Sequence, residues 1–445
     1  MMNVMNLSQM RKAVFAQKPA FKRVLKEHGS STLSDYFEAL GADYAPLNVP
    51  LRRQRELVSV IVTRVKKLLS NQAAEAATQY FKKRYTVSTA AHHDFATHPF
   101  FANYLIAAGY ANKDVGISAI PVLSCAGISL NNSSFPRGLL VHDEKLHEQR
   151  LKVISLKNHH HPVYGYPGYP AAIIPQTTQP DLQQLIGTIL AGSAPKHTKL
   201  TDQITIAVHT MVKYLPGLTQ SEALYLPQEE VASELFLAHH LKQKTIMHRI
   251  VFEAPVRALF IEKYNGIIGA HDEQKHTGSH LFWGLTESRR IALHIQGNRL
   301  LSVDESISIP LTPSAIRRAL LTKRIMPTMG FTLSLLSFYY GLACAGGFSQ
   351  VGYLTEMKSA YRALLAALPR LETEHAIADA VPTNLFSGEF VLATLGSKKV
   401  AATAIDIILN PKLFTENSLR RLMKQTSLQK AADRMMPELY KIVQQ

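Results

Sequence analysis

The chain has 445 residues, 46% of them hydrophobic and 18% charged, with a formal charge of +16 at neutral pH. That balance excludes an intrinsically disordered chain and supplies enough apolar surface for a sizeable core. Two cysteines exclude a disulfide framework and fit a reducing compartment, so a cytoplasmic location is expected.

The expected fold class is α+β, mostly helical, with an antiparallel β-meander near residues 266–310. Three regions follow from the pattern. Residues 1–87 form a basic helical N-terminal region, and residues 88–180 an α/β region carrying site loops. Residues 181–445 form helices around the meander with closing C-terminal helices, and can pack with 88–180 as one compact unit.

Residues 1–90 hold fifteen Lys and Arg against six Asp and Glu. Met1–Met10 has no continuous apolar core of a signal peptide. Helical spacing runs through Leu7–Lys26, Leu51–Leu69 and Ala73–Lys83. The middle segment is clearest: Leu57, Val58, Ile61, Val62, Val65 and Leu68 form one stripe, and Arg52, Arg53, Arg55, Arg64, Lys66 and Lys67 cover much of the rest. A basic helical face is either solvated or turned toward nucleic acid or another anionic partner.

Thr86–Pro99 reads as a strand-to-helix junction carrying His92, His93, Asp94 and His98. Adjacent histidines point apart, so one of His92 and His93 faces any ligand. His93 and His98 are the candidate acid–base groups here. Phe100–Tyr110 reads as a buried helix. A buried strand follows within Val115–Val141 and gives way to Asn131, Asn132, Ser134 and Arg137. Amides and hydroxyls after a buried strand suit a binding loop, and Arg137 is the natural clamp for a carboxylate or phosphate. Asn158–Pro170, with His159–His161 and three Tyr, reads as an aromatic loop packed over the domain, and Pro175–Pro180 as a linker.

Leu182–Leu190 and Ile204–Leu215 read as helices, and Ser221–Lys263 as two more. The meander begins with Gly266–Ala270 as a strand. The loop His271–His280 supplies His271, Asp272 and Glu273 for acid–base work, and His276 and His280 at i,i+4 spacing for a divalent metal. Trp283, the only Trp, stands beside it as a substrate contact. Arg290–Ile295 alternates as a half-buried strand does, Gln296-Gly-Asn298 is a turn, and Leu300–Val303 and Ser306–Ile309 continue the meander. Thr312-Pro313 opens a helix from Ser314 to about Arg324.

Ile325–Thr355 has no formal charge. Its Pro327 and repeated glycines favour a buried helix ending in a glycine-rich turn over a membrane span. Ser349 and Gln350 in that turn are candidate ligand contacts, although the spacing is not that of a nucleophile elbow. Residues 355–370, 397–409 and 417–443 read as closing helices. No phosphate-loop, dinucleotide, kinase, EF-hand or zinc-finger pattern is present.

The expectation from these clusters is an enzyme, a transferase or ligase acting on an anionic small molecule, with His92–His98, Asn131–Arg137, His271–His280 and Gly346–Gln350 converging on one pocket. The alternative is a nucleic-acid-binding protein using the basic N-terminal helices.

Overall fold

The computed structural model describes residues 6–42, 44–155, 158–169, 175–177, 179–192, 197–397 and 399–444. Pro170 of the aromatic loop, Thr178 of the expected linker and Met1–Met5 lie outside the described residues. The fold is α+β, and its antiparallel sheet lies where the alternating pattern puts it.

Nine strands build the two main sheets: β1 (Thr86–Ser88), β2 (Ala119–Ser124), β3 (Glu222–Pro227), β4 (Phe282–Leu285), β5 (Arg290–Gln296), β6 (Arg299–Ser302), β7 (Ser308–Pro310), β8 (Ile325–Pro327) and β9 (Ala343–Ala345). The first sheet is wholly parallel in the order β9-β1-β2-β3, and the second is antiparallel in the order β7-β6-β5-β4-β8.

The parallel sheet lies between two apolar cores, and its pleat divides the side chains between them. Ile120 and Val122 of β2 and Ala223 and Tyr225 of β3 enter one core with the Pro99–Asp114 and Leu200–Val212 helices. Ala119 and Leu123, with Leu224 and Leu226, enter the other with the Leu51–Leu68, Asn71–Lys83 and Gln228–His239 helices. The antiparallel sheet adds Phe282, Leu293, Leu300 and Ile309 to that second core.

Several elements differ from the sequence reading. Ser221–Lys263 opens with β3 before its helices Gln228–His239, Ile246–Phe252 and Ala254–Tyr264. All six residues of β3 are buried, so it carries no polar–apolar alternation to mark it as a strand. Gly266–Ala270 is a turn rather than a strand, because Gly266 and Gly269 take φ of 82° and 88°. The uncharged stretch is not one helix. It runs through β8, a short helix Met329–Leu333, a π-helical turn Ser334–Tyr339, β9 and then the helix Gln350–Ala366. Among the described residues no helix is long and apolar enough to cross a membrane. The helix after the meander spans Pro313–Leu321, and the Thr312 hydroxyl accepts from the Ala315 N–H as its N-cap.

A minority of the front-end charge is drawn into the fold, while most of its Lys and Arg stay exposed. Arg64 is buried and pairs with Glu230, with Asp202 at 3.0 Å and with Glu234 at 2.5 Å. Arg53 pairs with Glu374 at 2.5 Å and Arg52 with Glu56 at 2.8 Å.

Candidate functional site

Parallel strands end on a common edge. The chain leaves β1 through Thr89–His93, β2 through Cys125–Gly127, β3 through Gln228–Glu230 and β9 through Gly346–Gln350. From β1 the chain adds β2 and β3 on one side and places β9 on the other. The exits of β1 and β9 therefore diverge, and such a point in an open parallel sheet leaves a crevice for a ligand.

A cavity of about 450 Å³ occupies that crevice, with Thr89, His92, His98, Gln228, Gln350 and Glu389 among its lining. We call it the strand-end chamber. Its carboxylate comes from far along the chain. Oε2 of Glu389 accepts the Phe348 N–H at 2.8 Å. A Cβ on Gly347 would lie 2.4 Å from Glu389 Oε1, so the missing side chain at that position makes room for the carboxylate. Glu389 itself holds φ at 47°, a left-handed value uncommon outside glycine. Burial pushes its carboxyl up to about 7, with the Phe348 hydrogen bond acting weakly the other way. Among the described residues no Lys or Arg lines this chamber.

The imidazoles here are neutral. Burial pushes both His92 and His98 down to about 4. His92 Nδ1 lies 3.3 Å from Ser134 Oγ. His98 caps the Pro99–Asp114 helix, its Nδ1 accepting the Phe100 N–H at 3.2 Å, so its proton sits on Nε2. Gln350 donates to the Thr89 hydroxyl. Gln228 is 2% exposed, yet its Oε1 has no hydrogen-bond partner among the described residues.

A second cavity of about 710 Å³ adjoins the first, and Cys125 and Met329 line both. Its walls come largely from the hairpin that pairs His271–Asp272 with Thr277–Gly278, opposite Trp283 and Arg290. We call it the hairpin chamber. Glu229 braces the septum between the two: it accepts the Ala126 and Gly127 N–H groups, each at 2.9 Å, and the Cys125 thiol at 3.2 Å. Burial and the adjacent Glu229 raise Cys125 well above the usual thiol range, which removes it as a thiolate nucleophile. Arg290 donates to the Gly127 carbonyl at 2.6 Å, and its guanidinium lies 4.5 Å over the Trp283 ring.

The residues singled out in the sequence separate into three groups. His92, His98, Ser134, Ser349 and Gln350 line the strand-end chamber. His271, Asp272, His276 and Trp283 line the hairpin chamber. The rest line neither. His93 is fully buried, with Nδ1 on Ser124 Oγ at 2.7 Å and Nε2 on the Thr201 carbonyl at 2.9 Å. Asn131 is exposed and bonds Ser129, and Asn132 caps the Ser134 N–H at 3.0 Å. Glu273 is exposed, its N–H bound to Asn265. Arg137 lies with its guanidinium 5.2 Å over the Phe135 ring, outside both cavities. His280 packs between His271 and His294 at ring separations of 4.7 and 5.2 Å, and its Nδ1 accepts the Ile295 N–H. Among the described residues no group of three or more His, Cys, Asp or Glu is arranged to hold a metal ion.

Sequence reasoning passed over Glu389, Gln228, Glu229, Lys275 and Arg290. Glu389 is the only charged residue between Val381 and Gly396, a signal that was there to be read. Gln228–Glu230 follows directly on a strand too buried to be recognised as one. The chain matches no protein-family model and no curated protein.

Proposed function

We propose that the chain is an enzyme that assists proton transfer in a transfer or ligation reaction on an anionic small molecule, with Glu389 as its acid–base group. One observation carries this reading: a carboxyl raised to about 7 in the cavity at the shared edge of four parallel strands. Such a group both yields and takes a proton at neutral pH, which general acid–base catalysis requires. Ser134, Ser349, Gln350 and the unpartnered Gln228 oxygen offer hydrogen bonds to a substrate. Phe100, Phe101 and Phe348 line the same space and help exclude water, which favours transfer between bound groups over hydrolysis. With no cation in its lining, the chamber leaves the anionic end of the substrate to be held elsewhere.

The basic-helix alternative loses Arg53 and Arg64, which are paired with carboxylates of the fold, and keeps exposed cations such as Arg55, Lys66 and Lys67. A thermal-shift screen of nucleotides, amino acids and acyl thioesters identifies the substrate, and turnover is then measured with it. Glu389→Gln is expected to lower kcat by about 100-fold or more while the ligand-induced shift persists. Undiminished turnover in that variant would remove Glu389 from the mechanism.

A further inference from the structure

The hairpin chamber has features that the strand-end chamber lacks. His271 is 3% exposed, lines the cavity, and neither ring nitrogen has a hydrogen-bond partner among the described residues. Leaving a buried polar group unpaired is costly, so an unpaired imidazole facing a cavity calls for a partner from outside the chain. Arg290, an exposed residue of the same lining, forms no ion pair among the described residues and donates to the Gly127 backbone carbonyl. The Trp283 face beneath it holds the guanidinium without neutralising it. Lys275 brings a second cation from the hairpin tip, countered by Asp272 at 3.2 Å. The other acid in the lining, Glu229, is already occupied by three donors of the septum.

We propose that the hairpin chamber is an oxyanion-binding site: Arg290 and Lys275 hold the carboxylate or phosphate of a small metabolite, and His271 hydrogen-bonds to the same ligand. The assignment rests on the reading that the substrate is anionic, and it supplies the anion receptor missing from the chamber of Glu389. A guanidinium braced by a carbonyl and an aromatic face is already oriented, so little side-chain freedom is lost when the anion arrives.

Trp283 is the only Trp of the chain and lines this chamber, so its emission reports the site directly. The full chain is titrated with inorganic phosphate in one series and acetate in another. A saturable change in Trp283 emission is expected with at least one. Phosphate alone identifies a phosphorylated ligand, and acetate alone a carboxylated one. Lys275→Met, at an exposed position that cannot endanger the fold, is expected to weaken the saturating anion, and Arg290→Met to weaken it by about tenfold or more. His271→Leu is expected to weaken binding without lowering the melting temperature of the free protein, since no internal bond is lost. A linear, unsaturating response to both anions, or variants that all titrate like the parent, would overturn the site. Glu389→Gln is expected to titrate normally. A catalytically silent change at Glu389 with the Trp283 response intact would sink the acid–base reading alone.

Discussion

The two chambers share a wall and differ in nearly everything else. The strand-end chamber is assembled from the exits of the parallel strands and has no cationic lining, two neutral imidazoles and a carboxyl near 7. The hairpin chamber is assembled mainly from one surface hairpin, is larger, and carries Arg290 and Lys275. On the proposed reading, the difference keeps charge and proton chemistry apart. A cation a few ångströms from Glu389 would favour its ionised form and draw its pKa back toward the ordinary carboxylate range. Placing the cations behind the septum of Cys125, Met329 and Glu229 leaves the carboxyl able to exchange a proton at neutral pH.

The comparison breaks most completely if the carboxylate loses its seat. In Gly347→Ala the new Cβ meets Glu389 Oε1, and the side chain must swing away from the Phe348 N–H. Turnover is expected to fall nearly as far as in Glu389→Gln, with a stability loss of about 1–3 kcal/mol in a denaturant titration. Binding of anions in the hairpin chamber is expected to be unchanged.

A smaller effect sharpens the same contrast through pH. The folded carboxyl of Glu389 binds its proton more tightly than the usual value of 4.5. Its contribution to stability is therefore full below about pH 4.5 and is lost as pH rises toward about 7. The difference in melting temperature between the parent and Glu389→Gln is expected to drift in the parent's disfavour across that window and to level off above it. His92 and His98 work in the opposite sense. Held neutral, they favour the fold above 6.5 and lose that contribution as pH falls through about 4.

The smallest effect is expected at Arg137. Its guanidinium stacks on Phe135 and reaches neither cavity, so Arg137→Ala is expected to cost about 1 kcal/mol or less in thermal melts and to leave ligand binding untouched. A loss of ligand affinity in that variant would restore the clamp inferred from the sequence.

The antiparallel sheet was legible because one of its faces is wet. Leu293 is buried while its neighbour His294 is exposed, and Gly297 takes the positive φ that the Gln296–Asn298 turn demands. Of the parallel sheet, β1 and β2 were legible as the strand of the Thr86 junction and the buried strand after Val115, whereas β9 is three residues long and β3 is buried along its whole length, and neither was read. The same contrast governs the site. His271, Asp272 and His276 stand close in sequence on one hairpin and read as a cluster. Glu389 meets Phe348 and Gly347 only through the fold, across some forty residues. The Asn131–Arg137 run has the composition of a binding loop, but its amides close on neighbouring serines, Asn131 on Ser129 and Asn132 on Ser134.

One detail of the septum bears on how the molecule can be handled. Cys125 surrenders its hydrogen to no base: Glu229 accepts from it while burial disfavours the thiolate, and Cys344 is fully enclosed and pushed up to about 12. Alkylating reagents at neutral pH are therefore expected to label Cys125 slowly through the cavities it lines, while Cys344 is reached only when the chain opens, so the rate at which Cys344 is labelled counts those openings.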